Sequence, residues 1–246
     1  MTPLLMLPAS HAQEQVEARR QLLDAVHRAA EMDGATALHL HGSLGRGTAD
    51  ALSDIDVLVT FPDEVCGDAI AARARLFEDA GSLLLRHEAA QNRPVGGMYT
   101  LALYQTTAGP LTVDWSLAPQ RTSRVSPGMT VVFERLPVTR GAWLLDHHAR
   151  HEVSQSERVS WLICMLFTCT KFVVRGQGDP FISFLGQAYR DVGRSCQFRR
   201  VRVTEPTSLS NISTMLRQLD PFSDERQRRA ITAVDAFAAR LHQMTA

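Results

Sequence analysis

Residues 36–61 read TALHLHGSLGRGTADALSDIDVLVTF. They give a strand, a glycine turn, a short polar segment and a second strand. The first strand spans residues 36–41 and ends at Gly42-Ser43. The second spans residues 54–61 and opens with Asp54 and Asp56. Alternate side chains of an extended strand point the same way, so Asp54 and Asp56 share one face while Ile55, Val57 and Val59 share the other. Two neighbouring carboxylates repel unless a cation sits between them or one is protonated. Hard oxygen donors suit Mg²⁺, which keeps several waters and takes one or two carboxylates with substrate phosphates. Gly42 permits close backbone approach, and Ser43 is placed to cap a following helical turn whose N–H groups favour phosphate. A phosphate cradle beside a cation-binding pair is equipment for chemistry on nucleoside triphosphates. Gly-Ser or Asp-x-Asp alone is an ordinary turn or strand start; the weight lies in their combination.

Working outward, residues 10–32 form an amphipathic helix pattern with Val16, Leu22, Leu23 and Val26 on its apolar stripe, closed by Asp33-Gly34. A helix containing residues 69–79, ended by Gly81, follows the second strand. Residues 83–87 and 98–106 read as strands. Gly109-Pro110 turns the chain into a further alternating strand, residues 111–117 (LTVDWSL). Leu111, Val113, Trp115 and Leu117 face one side of it, and Thr112, Asp114 and Ser116 the other. Residues 119–128 read as a loop and 131–135 as a short strand. Beyond about residue 140 the pattern becomes helical: 154–174, capped by Ser154 or Ser156, then 180–192, 209–219, and 224–244 capped by Ser223. The order predicts an α+β chain: a small mixed sheet with helices on one side over residues 1–140, then a helical bundle over residues 141–246.

Gly42-Ser43, ten intervening residues, and Asp54-Ile55-Asp56-Val57 resemble the signature of the nucleotidyltransferase superfamily typified by DNA polymerase β. The resemblance is nearest to the small bacterial nucleotidyltransferases that act on antibiotics of the aminoglycoside or lincosamide type. It covers the first half of the chain. It implies a third carboxylate one or two strands on, for which Asp114 is the candidate and Glu88 the rival. It implies Asp54, Asp56 and Asp114 as catalytic Mg²⁺ ligands, with Gly42 and Ser43 toward the triphosphate; Arg46, three residues past Ser43, either reaches the triphosphate or is an exposed charge on the short helix. It also implies a helical domain that closes over the nucleotide and supplies cations, for which Lys171 and Arg175 are the candidates; snorkelling to the surface is the alternative for Lys171. The implied reaction transfers AMP from ATP to a hydroxyl of a small molecule and releases pyrophosphate. A polycationic acceptor would call for an acidic pocket, and Asp146, Glu152 and Glu157 lie near the expected junction. A protein-adenylylating antitoxin-type enzyme, or a non-catalytic nucleotide-binding protein of the same fold, are the competing readings. The helical half weighs against the first and the three carboxylates against the second.

Composition narrows the partners. The 246 residues are 45% hydrophobic and 21% charged, with 26 basic and 26 acidic side chains, as in a globular domain or two. The absence of a basic excess argues against a long nucleic acid as substrate. Arginines do cluster at 190–202 and 226–229, where solvated faces are the simpler reading. Four cysteines without C-x-x-C spacing fit a reduced, cytoplasmic compartment. The start lacks the basic region of a signal peptide, and no run reaches membrane-spanning length. His147, His148 and His151 place two rings at helical i, i+4 spacing but lack the surroundings of a zinc site, so exposed histidines are the favoured reading. His39 and His41 share a strand face, and His41 abuts the glycine turn.

Overall fold

A computed structural model describes residues 7–146, 154–177, 179–195 and 205–245. The chain divides into two compact units, Gln13–Glu152, and Met1–Ala12 with Val153–Ala246. The expected division at residue 140 falls inside the first of these. Residues 125 and 140, and 94 and 145, are joined by isolated bridges, which tie the segment up to 146 to the sheet-bearing unit.

The first unit is built on one six-stranded mixed sheet. Its strands are β1 (Ala37–Leu40), β2 (Ile55–Phe61), β3 (Ser82–Glu88), β4 (Met98–Thr106), β5 (Gly109–Pro119) and β6 (Thr130–Glu134), in the order β3-β4-β5-β2-β1-β6. β2 and β5 run parallel, and every other neighbouring pair is antiparallel. β4 and β5 form the predicted hairpin, although its turn lies at residues 107–108 and Gly109-Pro110 already belongs to β5.

Helices α1 (Ala9–Met32), α3 (Cys66–Ala71) and α4 (Arg73–Asp79) contribute to the core on one sheet face. The short helix α2 (Gly42–Gly45) forms the glycine turn. The single helix expected over residues 69–79 is thus two short ones, broken at Ala72. The core joins Leu22, Val26, Ala29 and Ala30 of α1 and Leu76 and Phe77 of α4 to Ile55, Val57, Val59, Val113 and Trp115. These strand residues are fully buried. Burying such side chains stabilises by roughly 1.5–3 kcal/mol each, and that burial fixes which face of β2 and β5 is left for polar groups.

In the second unit, helix α5 (Gln155–Arg175) packs against α6 (Asp179–Ser195), α7 (Leu209–Leu219) and α8 (Glu225–Thr245). Its apolar run is buried as its composition required: Leu162, Ile163, Cys164, Leu166 and Phe167 are at most 1% exposed. Ser154 and Glu157 close a reciprocal capping box at its start. At α8 the cap is Asp224 rather than Ser223. The Asp224 carboxylate accepts the Gln227 N–H, and the Gln227 side chain accepts the Asp224 N–H, both at 2.8 Å. The Ser223 hydroxyl instead donates back to the Leu219 carbonyl. Cys66, Cys164 and Cys169 are buried. No helix of the described residues is long and apolar enough to cross a membrane.

Candidate active site

Two rows of side chains cross the sheet face opposite the helices. Asp56 of β2 is the register partner of Asp114 of β5, and Asp114 that of Leu101 of β4. The next row is His39, Leu58, Ser116 and Tyr99. His41, just past β1, donates its backbone N–H to the Asp56 carbonyl at 3.0 Å and extends the first row. Register partners share a face, so the burial of Val57 and Trp115 on the core side forces Asp56 and Asp114 to the other. Asp54, Asp56 and Asp114 are each half-buried.

Neighbouring side chains hold these carboxylates. The Asp54 carboxylate accepts a hydrogen bond from the Thr112 hydroxyl, two residues before Asp114. Tyr99 donates its phenol to Asp114 Oδ2 at 2.5 Å. Burial first, and the Asp114 charge second, push that phenol well above the ordinary tyrosine range, so it stays a donor. Arg19 of α1 is buried and donates Nη1 to the carbonyls of Asp50 and Ser53, tying down the loop that leads into Asp54. Sequence reasoning missed all three partners. Tyr99 and Thr112 were accessible in principle, being polar-face positions of alternating strands. Arg19 carries no local signal, since it is one of several arginines on a long helix.

Gly42 has φ +59°, a backbone conformation that costs other residues energy. A Cβ there would overlap Asp56 Oδ2 and lie 2.7 Å from its Cγ. The glycine is therefore what lets the turn close against the carboxylate. Ser43 does not cap α2 as expected. The N-cap is His41, without a side-chain cap bond, and Ser43 lies inside the turn. Arg46 is exposed at the C-terminal end of α2.

The His41 ring packs 5.4 Å from that of Trp143. Burial pushes the imidazole down to about 4, helped by the Arg46 charge and opposed by a hydrogen bond to the Val57 backbone. His41, Gly42, Arg46, Asn92, Tyr99, Ser116 and Trp143 are among the residues around a pocket of about 340 Å³ on this face.

Glu88 lies elsewhere. It pairs in register with Thr100, Thr100 with Trp115, and so Glu88 belongs to the helix-covered face, with β4 and β5 between its strand and β2. Its carboxylate is held by Arg73 of α4 at 2.6 and 2.9 Å. In the helical unit, Lys171 is 2% exposed with Nζ 4.7 Å from the centre of the Phe167 ring, so it does not snorkel to the surface. Arg175 sits in the last turn of α5. Of the acidic residues considered for a polycation, Glu157 serves the α5 cap and Asp146 donates its backbone N–H to the Arg93 carbonyl at 2.8 Å. Glu152 and the histidines 147, 148 and 151 lie outside the described residues, as do Cys196 and the arginines 199, 200 and 202.

The donor set bears on a divalent cation. Asp56 and Asp114 offer hard oxygen ligands side by side, and the Gly42 turn closes against the Asp56 carboxylate on one side. Among the described residues no group of three or more His, Cys, Asp or Glu is gathered to hold a metal. A carboxylate pair that leaves the remaining positions to water and phosphate is the mode Mg²⁺ uses, and the residues fit that mode.

Residues 19–91 match the family model of the nucleotidyltransferase domain. No curated protein matches the chain. The matched stretch contains Gly42, Ser43, Asp54 and Asp56 and ends before Asp114. It supports nucleotidyl transfer in general and leaves the acceptor open. The fold agrees with it, a mixed sheet carrying the nucleotidyltransferase match followed by helices.

Proposed function

We propose that this protein transfers a nucleoside monophosphate, AMP from ATP, to a hydroxyl of a small molecule and releases pyrophosphate. The observation that carries the reading is the apposition of Asp56 and Asp114 on adjacent parallel strands, closed on one side by Gly42. Asp56 and Asp114 are the residues that would hold Mg²⁺, with Asp54 beside them. Bound there, the ion would neutralise charge on the triphosphate.

The chain's own groups do the rest. Gly42, Ser43 and Arg46 orient the phosphates toward the carboxylates. Asp114 takes the proton of the attacking hydroxyl, and Tyr99, donating to Oδ2, fixes the orientation of that carboxylate. Thr112 and Arg19 set the position of Asp54. Positioning and electrostatics of this kind supply most of the catalysis in phosphoryl transfer. The deciding experiment is pyrophosphate release from ATP, GTP, CTP and UTP with Mg²⁺ and a panel of hydroxyl acceptors, small molecules and proteins in separate arms. Release that depends on a small-molecule hydroxyl supports the reading. Release only with a protein acceptor moves it to protein modification, and nucleotide binding without release under any condition makes the protein non-catalytic.

A further inference from the structure

The pocket on the carboxylate face has features that phosphate and metal binding do not explain. Ser116 is 1% exposed, and its Oγ has no hydrogen-bond partner. His41 Nε2 is likewise buried and without a partner. Both residues line the same pocket. A buried polar atom left unpaired costs stability, and these two residues border one cavity, so a ligand that pairs with them would offset that cost. Trp143, Tyr99, Met129, Pro127 and Leu145 supply aromatic and apolar wall, and Asn92 and Ser126 add polar groups to it. Among the described residues no carboxylate lines it and Arg46 is the one charged lining residue, which disfavours a polycation. The volume of about 340 Å³ is near the lower bound for small-molecule sites, enough for a bicyclic ring and part of a sugar.

An uncharged planar ring with polar atoms at its edge meets every one of these conditions. Nucleobases are bound in this way, stacked on aromatic side chains and paired along the edge. The pocket also adjoins Gly42 and Arg46, where the proposed phosphates lie, so one molecule can span both. We propose that this pocket takes the base of the nucleoside triphosphate, with the ring against Trp143 and its edge hydrogen-bonded to His41 Nε2 and Ser116 Oγ. The assignment rests on the nucleotidyltransferase reading for its phosphate end and on the pocket alone for its base end.

The test uses uncharged nucleosides, which reach the pocket without metal or phosphate. Adenosine, guanosine, cytidine and uridine are titrated separately into the full chain in chelator, by calorimetry or saturation-transfer NMR. Magnesium tripolyphosphate is titrated in a parallel arm. At least one nucleoside should bind, and Ser116→Ala and Trp143→Ala should each weaken it tenfold or more while shifting tripolyphosphate affinity less than twofold. Ser116→Ala removes an unpaired buried hydroxyl, so its melting temperature should not fall, which separates lost binding from lost fold. Absence of binding by all four nucleosides overturns the proposal, and so does binding indifferent to both substitutions. If transfer is found and Trp143→Ala raises the KM for the acceptor but not for the triphosphate, the pocket belongs to the acceptor and the proposal falls. Failure of tripolyphosphate binding and of pyrophosphate release, with nucleoside binding intact, defeats the transferase reading and leaves the base site standing.

Discussion

Asp56 and Asp114 are direct register partners on two parallel strands, although 57 other residues separate them along the chain. Like charges placed opposite one another destabilise a sheet. On the proposed reading, a cation bound between them offsets that cost. Asp56→Asn should reduce nucleotidyl transfer by about a hundredfold or more, the scale of losing one electrostatic contributor to the transition state. In chelator its melting temperature should equal or exceed that of the unaltered protein, because one of two repelling charges is gone. Thermal melts with and without Mg²⁺, together with pyrophosphate release, check both halves. Unimpaired transfer by the variant would exclude the carboxylate pair from the reaction.

Gly42 and Gly34 separate backbone strain from crowding of the site. Both have positive φ, +59° and +81°. A Cβ at Gly34 meets nothing within 4 Å, whereas one at Gly42 runs into Asp56. Gly34→Ala should cost about 1–2 kcal/mol for the left-handed backbone alone. Gly42→Ala should cost more than that and should also weaken binding of Mg²⁺ and nucleotide, because the Asp56 carboxylate must move. Urea midpoints and calorimetric affinities measure the two effects. Equal stability losses with unchanged affinity would show that the carboxylate has room to shift.

His39 predicts a pH dependence. Its ring is fully buried, and Nε2 donates to Glu134 Oε2 at 2.9 Å. Burial depresses the imidazole below its ordinary value, more than Glu134 raises it. With the folded value depressed, the unfolded chain takes up a proton first as the pH falls. The contribution to stability is whole above the ordinary histidine value, about 6.5, and is lost as the pH drops from there toward the folded value. His39→Gln removes that term, so its stability should fall less between about pH 7 and pH 5 than that of the unaltered protein. Urea midpoints across this range provide the comparison, and parallel loss in the two proteins would refute it.

Much of the site could be read from period-two alternation. In residues 54–59 and 111–117 the apolar positions demanded burial, which assigned Asp54, Asp56 and Asp114 to the other face before any pairing was known. Caps were read less well. Ser154 was right for α5, but Asp224 displaced Ser223 at α8 and His41 displaced Ser43 at α2, because adjacent polar residues compete for a cap and backbone geometry chooses between them. Arg73 was invisible as the partner of Glu88, since an ion pair between a helix and a strand edge depends on how the two pack.

The sequence by itself determined which side of each strand is polar, where the strands and most helices run, and that a glycine turn precedes an aspartate pair. These follow from local sterics and from hydrophobic burial, which act within a few residues. Only the tertiary structure decided that β5 lies parallel to β2 with Asp114 opposite Asp56, that Glu88 turns to the helix side, and that Tyr99, Ser116 and His41 meet around one pocket. Register between strands separated by β3 and β4 is set by the fit of whole side-chain rows across the core, and no short stretch of sequence contains that information.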